Sequence, residues 1–176
     1  LISMFSPGKL LSAIHRPGTA GDARIFTILC GICWGLGWVI QDVLDLKWSR
    51  REFDMVNDGY VWAVHFILGV VGTWVMLNLI SRIFFKLVAA GDVKAKAPQV
   101  LTYNVYAYCL GPSILSLIPF FVGPLVALVW IVCLFMYGAI VRLAVKTGGA
   151  IICNVFAVGG VLGLSAGAYF LLSYLY

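Results

Sequence analysis

The chain has 176 residues, 62% of them hydrophobic and 11% charged, with a net charge of +5 and a mean hydropathy of +1.03. A water-soluble domain is about half apolar and about a quarter charged, with its charges spread along amphipathic faces. Here the charges cluster between long apolar runs, which excludes an ordinary soluble domain and points to a single all-α integral membrane domain.

The opening residues do not combine a basic segment, one apolar run and a small-residue cleavage site, so no signal peptide is read and the spans are expected to drive insertion. Residues 1–24 read as a cytoplasmic N-terminal segment carrying a short interfacial helix, "FSPGKLLSAIHRPG". Ser6 suits an N-cap, Pro7 the first helical position, and Pro17 ends the helix. Leu10, Leu11 and Ile14 share a face, and Lys9 and Arg16 are placed to meet anionic headgroups.

A membrane span needs about 20 apolar residues. The first is expected at 25–40, a short glycine-rich stretch between Arg24 and Asp42, and the second at 60–80. Between them, Gln41 to Gly59 reads as an outer loop. Trp48, Arg50, Arg51 and Phe53 in that loop are of the residue types that anchor protein interfaces, which makes it a candidate docking segment.

From Gln99 to Val141 no Asp, Glu, Lys or Arg occurs. As one helix this stretch would be about 65 Å long, roughly twice the hydrocarbon core, so it must fold back. The turn chemistry sits in "IPFFVGP", where Pro119 and Pro124 lack amide donors and Gly123 permits unusual torsions. Spans are therefore expected at 100–117 and 125–143, followed by a fifth at 150–174. Pro112 lies inside the third span and removes the donor to the Tyr108 carbonyl, so a kink is expected there. The freed groups would be satisfied by Ser113, Ser116 or a neighbouring helix.

Lys9, Arg16, Arg24, Arg82, Lys86, Lys94, Lys96, Arg142 and Lys146 fall on one side of this five-helix arrangement. Lys47, Arg50 and Arg51, mixed with five acidic residues, fall on the other. The bias places the N-terminus in the cytoplasm and the C-terminus outside. Topology and contact with anionic lipid thus account for the basic total without a nucleic-acid partner.

The polar residues inside spans offer little chemistry. Cys30 and Cys33 have the spacing of a redox or metal pair, but the other cysteines lie singly on different spans and supply no second pair. They read as small apolar residues. His65 is the sole histidine in a span; beside Tyr60 and Trp62 it reads as a neutral interfacial side chain, with a haem or quinone contact as the weak alternative. No charged residue falls at an expected midplane, against a pump or ion-coupled carrier. Gly159, Gly163 and Gly167 recur at four-residue spacing, and Gly31 and Gly35 form a shorter pair. Both faces allow close helix approach, read as packing within the bundle ahead of dimerisation.

Three stretches carry a family resemblance. "FSPGKLLSAIHRPG", "AAGDVKAKAPQVLTYNVYAYCLGPSILSLIP" and "GPLVALVWIVCLFMYGAIVRLAVKTGGAIICNV" follow one another as the opening helix, the central signature and the last hairpin do in the Yip-domain family, which the chain resembles over most of its length. The resemblance implies five spans with a cytoplasmic N-terminus, and makes Pro112 a family-type feature of the bundle. Eukaryotic members interact with Rab-type GTPases, and they carry a longer cytoplasmic N-terminal region and an Asp-Leu-Tyr-Gly-Pro-type motif. Residues 1–176 contain neither, so the resemblance is to the compact bacterial branch, and it supplies no catalytic, cofactor or metal residues.

The reading of function is a non-enzymatic inner-membrane protein without cofactor. It would be an accessory or scaffold subunit that contacts other membrane proteins and phospholipids, with homo-oligomers also open. The alternatives are a membrane-shaping protein of trafficking type, a small neutral-solute channel or carrier, and, more distantly, a redox subunit that contacts quinone or haem.

Overall fold

A computed structural model describes residues 20–48, 54–90, 99–119 and 122–175; in the last of these segments the surroundings are given to residue 161 and at 163. The described elements are all helical: α1 (Ala20–Trp48), α2 (Asn57–Ala90), α3 (Gln99–Cys109), a 3-10 segment (Gly111–Leu117), α4 (Val122–Arg142) and α5 (Thr147–Leu175). Three of them are long and apolar enough to cross a membrane: Gly21–Trp48, Asn57–Ala90 and Val122–Arg142. The part of α5 from Thr147 to Val161 is equally apolar but shorter.

The outward faces agree with that reading. Ile67, Val71, Trp74 and Val75 on α2, Leu125, Val129 and Trp130 on α4, and Ile152, Val155 and Phe156 on α5 are all exposed. An apolar surface of this extent is stable when lipid covers it. Polar groups on the helices turn back onto their own backbones: Thr27 Oγ1 donates to the Ala23 carbonyl, Thr73 Oγ1 to Gly69, and Asn78 Nδ2 to Trp74, at 2.7–2.8 Å. Such bonds replace the water that a bilayer interior does not provide.

The ends of α1 and α2 differ from the sequence expectation. α1 continues past Asp42 to Trp48, and α2 starts at Asn57, so much of the expected outer loop is helix. Charge alone did not stop α1 because Asp42 has a partner inside the fold. At the start of α2, Asp54 Oδ1 accepts from the Val56 and Asn57 amides, and Asp58 Oδ2 accepts from the Asp54 amide at 2.8 Å. This reciprocal capping satisfies amides that the helix leaves open. Arg50, Arg51 and Phe53 lie outside the described residues, as do Lys9, Leu10, Leu11, Ile14 and Arg16; Trp48 closes α1 and is 85% exposed.

α3 and the 3-10 segment form the centre. α3 packs on α1, α2 and α4, while the 3-10 segment packs on α1 and α4; α5 lies against α2 and α4. At Pro112 the chain changes helix type instead of bending an α-helix. α3 ends at Cys109 and the tighter helix starts at Gly111, with Pro112 in its first turn. Proline suits a first turn, where its missing amide would lack a partner anyway. Together the two pieces rise about 30 Å, close to the thickness of a hydrocarbon core. The described chain resumes at Val122, and α4 packs beside the 3-10 segment that precedes it.

Tyr106 is the hub of the interior. It is fully buried, stacks on Phe135 of α4 with ring centroids 4.5 Å apart, and touches Phe84 of α2 at 5.3 Å. Its hydroxyl donates to Asn154 Oδ1 on α5 at 2.7 Å, and Asn154 Nδ2 donates to the Ala150 carbonyl. One side chain thereby ties four helices together. In lipid, where apolar contact gives little net driving force, such stacking and hydrogen bonding hold a bundle in register.

The α4–α5 turn carries one backbone outlier. Ala144 has φ 52°, in the left-handed region, and the Val145 amide reaches the Ala139 carbonyl at 3.2 Å. The bond spans six positions, one more than in a Schellman motif, and closes the helix around a left-handed residue, a conformation glycine adopts more readily than alanine. Leu143 and Val145 on either side are buried, so packing holds the strained residue in place.

Candidate functional site

The α1–α2 hairpin brings together groups far apart in the sequence, from Asp42 and His65 to Gly31 and Val70. Its seam is a backbone-to-backbone contact. A Cβ on Gly31 would meet Val70 Cα at 2.9 Å, and one on Gly35 would meet the Phe66 carbonyl oxygen at 2.7 Å. Gly69 sits directly against Gly35 from the other side. Gly37 of the same helix faces the Ser116 carbonyl oxygen, which a Cβ would approach to 2.5 Å. Only glycine allows these approaches.

The close seam puts His65 of α2 beside Asp42 of α1. The imidazole Nδ1 and Asp42 Oδ2 are 2.5 Å apart, and the edge of Trp38 meets the His65 ring with centroids at 5.8 Å. With a carboxylate oxygen as its partner, Nδ1 is the donor of this pair. Both side chains are about a third exposed. Trp38 and Asp42 are one helical turn apart on α1, as His65 and Leu68 nearly are on α2, which places the pair at one end of a shared groove.

Below the pair the groove opens into an apolar cavity of about 280 Å³ between α1, α2, α4 and α5. Trp34, Trp38, Leu68, Gly72 and Met76 form one wall, and Leu128, Ile131, Phe135 and Val158 the other. The few polar atoms on these walls are engaged, since Trp34 Nε1 donates to Ser113 Oγ at 3.1 Å and Thr73 bonds its own helix. Above the pair lies a polar cavity of about 270 Å³, lined by Asp42, Asp45, Asn57, Asp58 and Trp62. Ser113 and Ser116 hold the floor. Ser113 Oγ donates to the Leu110 carbonyl at 2.6 Å, and Ser116 Oγ reaches the Ser113 and Cys33 carbonyls at 2.6 and 2.9 Å.

Of the residues singled out from sequence, the structure joins Gly31 and Gly35 to the α2 backbone and places His65 against Asp42 and Trp38. Pro112 and Gly123 belong to the turn that supports the floor. A Cβ on Gly123 would lie 2.5 Å from the Leu115 carbonyl oxygen, so α4 can start where it does only with glycine there. Pro119 ends the described part of the turn, and Pro124 lies in the first turn of α4. The glycines of the last helix depart from the expectation of packing within the bundle. At Gly159, Gly160 and Gly163 an added Cβ would meet nothing within 4 Å, and Gly167 lies outside the residues whose surroundings are described. The reason is that α5 turns its Ala150, Asn154, Ala157 and Val161 face inward, leaving these glycines on the exposed side.

All five cysteines are free thiols. Among the described residues, no three His, Cys, Asp or Glu side chains are grouped to hold a metal. The Asp42 partner of His65 escaped the sequence reading because Asp42 had been taken as the end of a span. The available signal was the glycine register, since Gly31 and Gly35 call for a close partner helix that must cross somewhere near Phe66.

No family model, curated protein or solved structure matches the chain. Fold and site therefore define its class: an all-helical protein with three helices suited to cross a membrane, consistent with an integral membrane protein.

Proposed function

We propose that the chain is a non-enzymatic inner-membrane protein, a five-span bundle of Yip-domain type with its N-terminus in the cytoplasm. It would serve as an accessory or scaffold subunit of a larger membrane protein complex. The observation that carries this reading is the contrast among its glycines. Gly31, Gly35 and Gly37 of α1, with Gly69, Gly123 and Gly138 elsewhere, are each pressed against a neighbour, whereas Gly159, Gly160 and Gly163 lie open on the outer face of α5 beside exposed Val155 and Phe156. Small residues that admit a helix backbone, flanked by large apolar ones, suit a transmembrane partner. The apolar lining of the cavity between the helices favours packing over conduction of a polar solute.

The test is purification of the intact protein from its membrane in mild detergent, alongside Gly163→Leu. Membrane proteins that co-purify in a fixed ratio, and are lost from the variant while its helicity is unchanged, support the reading. Recovery of the chain alone, or partners indifferent to Gly163→Leu, would overturn it.

A further inference from the structure

The groove of the α1–α2 hairpin is apolar along its length and polar at one end, and these two properties together select an occupant. Its apolar part runs from Leu68 to Ile80 on α2, about 18 Å of helix, which covers the roughly 15 Å of hydrocarbon in one leaflet. A cavity of about 280 Å³ is too small for a helix, which is about 10 Å across, but it admits an alkyl chain. Its floor residues Leu77, Leu110 and Phe135 are buried while Trp38 and Leu68 on the rim are exposed, so the groove is entered from the side, as a lipid tail would enter it.

At the end of the groove stand the Asp42 carboxylate, already drawn to His65 Nδ1, and the Asp45 carboxylate one turn further along α1. Beside them stands the His65 ring, in contact with Asp42. Among the described residues that line this end, Asp42, Asp45 and Asp58 are carboxylates, while Asn57 and Trp62 add the side-chain donors, so the end as a whole favours a cation. An ammonium has three donors and no acceptor, so it is the complementary headgroup. An anionic headgroup would instead meet like charge.

We propose that this groove is a lipid site that seats one acyl chain of an aminophospholipid between α1, α2, α4 and α5, with its ethanolamine ammonium at Asp42 and Asp45. The site is separate from the glycine face of α5 and does not depend on it.

The test uses the intact protein in mild detergent, stripped of endogenous lipid and titrated with phosphatidylethanolamine or phosphatidylglycerol of identical acyl chains. Native mass spectrometry reads the fraction with lipid bound. The unaltered protein should retain the ethanolamine lipid at least about tenfold better, the scale of one charge-assisted hydrogen bond. Asp42→Asn keeps the shape and still accepts from Nδ1, but should remove that preference by lowering ethanolamine binding to the level of the glycerol lipid. Gly72→Phe should abolish retention of both lipids by filling the groove, and the fold has room for it because a Cβ at Gly72 meets nothing within 4 Å. Equal retention of the two lipids by the unaltered protein, an Asp42→Asn variant that keeps the preference, or a Gly72→Phe variant that binds as before would each overturn the proposal.

Discussion

Gly35→Ala tests the hairpin seam on which the whole site depends. The added methyl would stand 2.7 Å from the Phe66 carbonyl oxygen and 3.1 Å from Phe66 Cα and Cδ2. Two of those atoms are backbone, so no rotamer change relieves the contact, and α1 and α2 must separate by about 0.7 Å to reach ordinary van der Waals distance. A gap of that size forfeits a quarter to a half of each affected dispersion contact. Overpacking of this kind costs about 1–3 kcal/mol, against which alanine returns about 1 kcal/mol of helix preference. The net expectation is a loss of about 1 kcal/mol. Gly72→Ala on the facing helix is the control: its methyl meets nothing, so only the helix preference acts and the variant should gain about 1 kcal/mol. Unfolding of the intact protein in mild detergent by titration with dodecyl sulfate, followed by tryptophan fluorescence, compares the three. The expected order of midpoints is Gly72→Ala, then the unaltered protein, then Gly35→Ala. If Gly35→Ala unfolds at or above the midpoint of Gly72→Ala, the helices do not meet backbone to backbone and the reasoning fails.

Two further substitutions probe other parts of the fold by the same measurement. Ala144→Gly removes a side chain from a left-handed position and should stabilise by about 1 kcal/mol; a loss of stability would mean that the residue is not held there. Tyr106→Phe leaves Asn154 Oδ1 buried without its donor and should cost about 1–3 kcal/mol, whereas Tyr106→Phe combined with Asn154→Leu should recover much of it. A double variant worse than the sum of its singles would refute the pairing.

The membrane class and the existence of each helix were legible in the sequence because composition and run length do not depend on what the chain packs against. The reversal after the third apolar run was legible for a related reason. A charge-free stretch too long for one crossing must turn, and Pro119, Gly123 and Pro124 offer the turn chemistry. Sequence also showed that Pro112 interrupts a helix. It did not show how, because the choice between a kink and a 3-10 segment rests on contacts of Ser113 and Ser116 with Trp34 and Cys33, some eighty residues away.

Spacing alone made the glycines of α1 and α5 look alike, and only the tertiary structure separated them. Gly31 and Gly35 face a neighbouring backbone, while Gly159 and Gly163 face outward, because Asn154 and Ala157 turn the other side of α5 toward Tyr106 and α2. Asp42 shows the same division. Read along the chain, it is a charge that ends an apolar run; in the fold, it is the acceptor for His65 and part of the lining of a polar cavity. A one-dimensional pattern reports how each residue partitions between water and lipid. Which helix it meets, and at what register, is set by pairwise packing and hydrogen bonds between residues far apart in the sequence, and for these the tertiary structure was required.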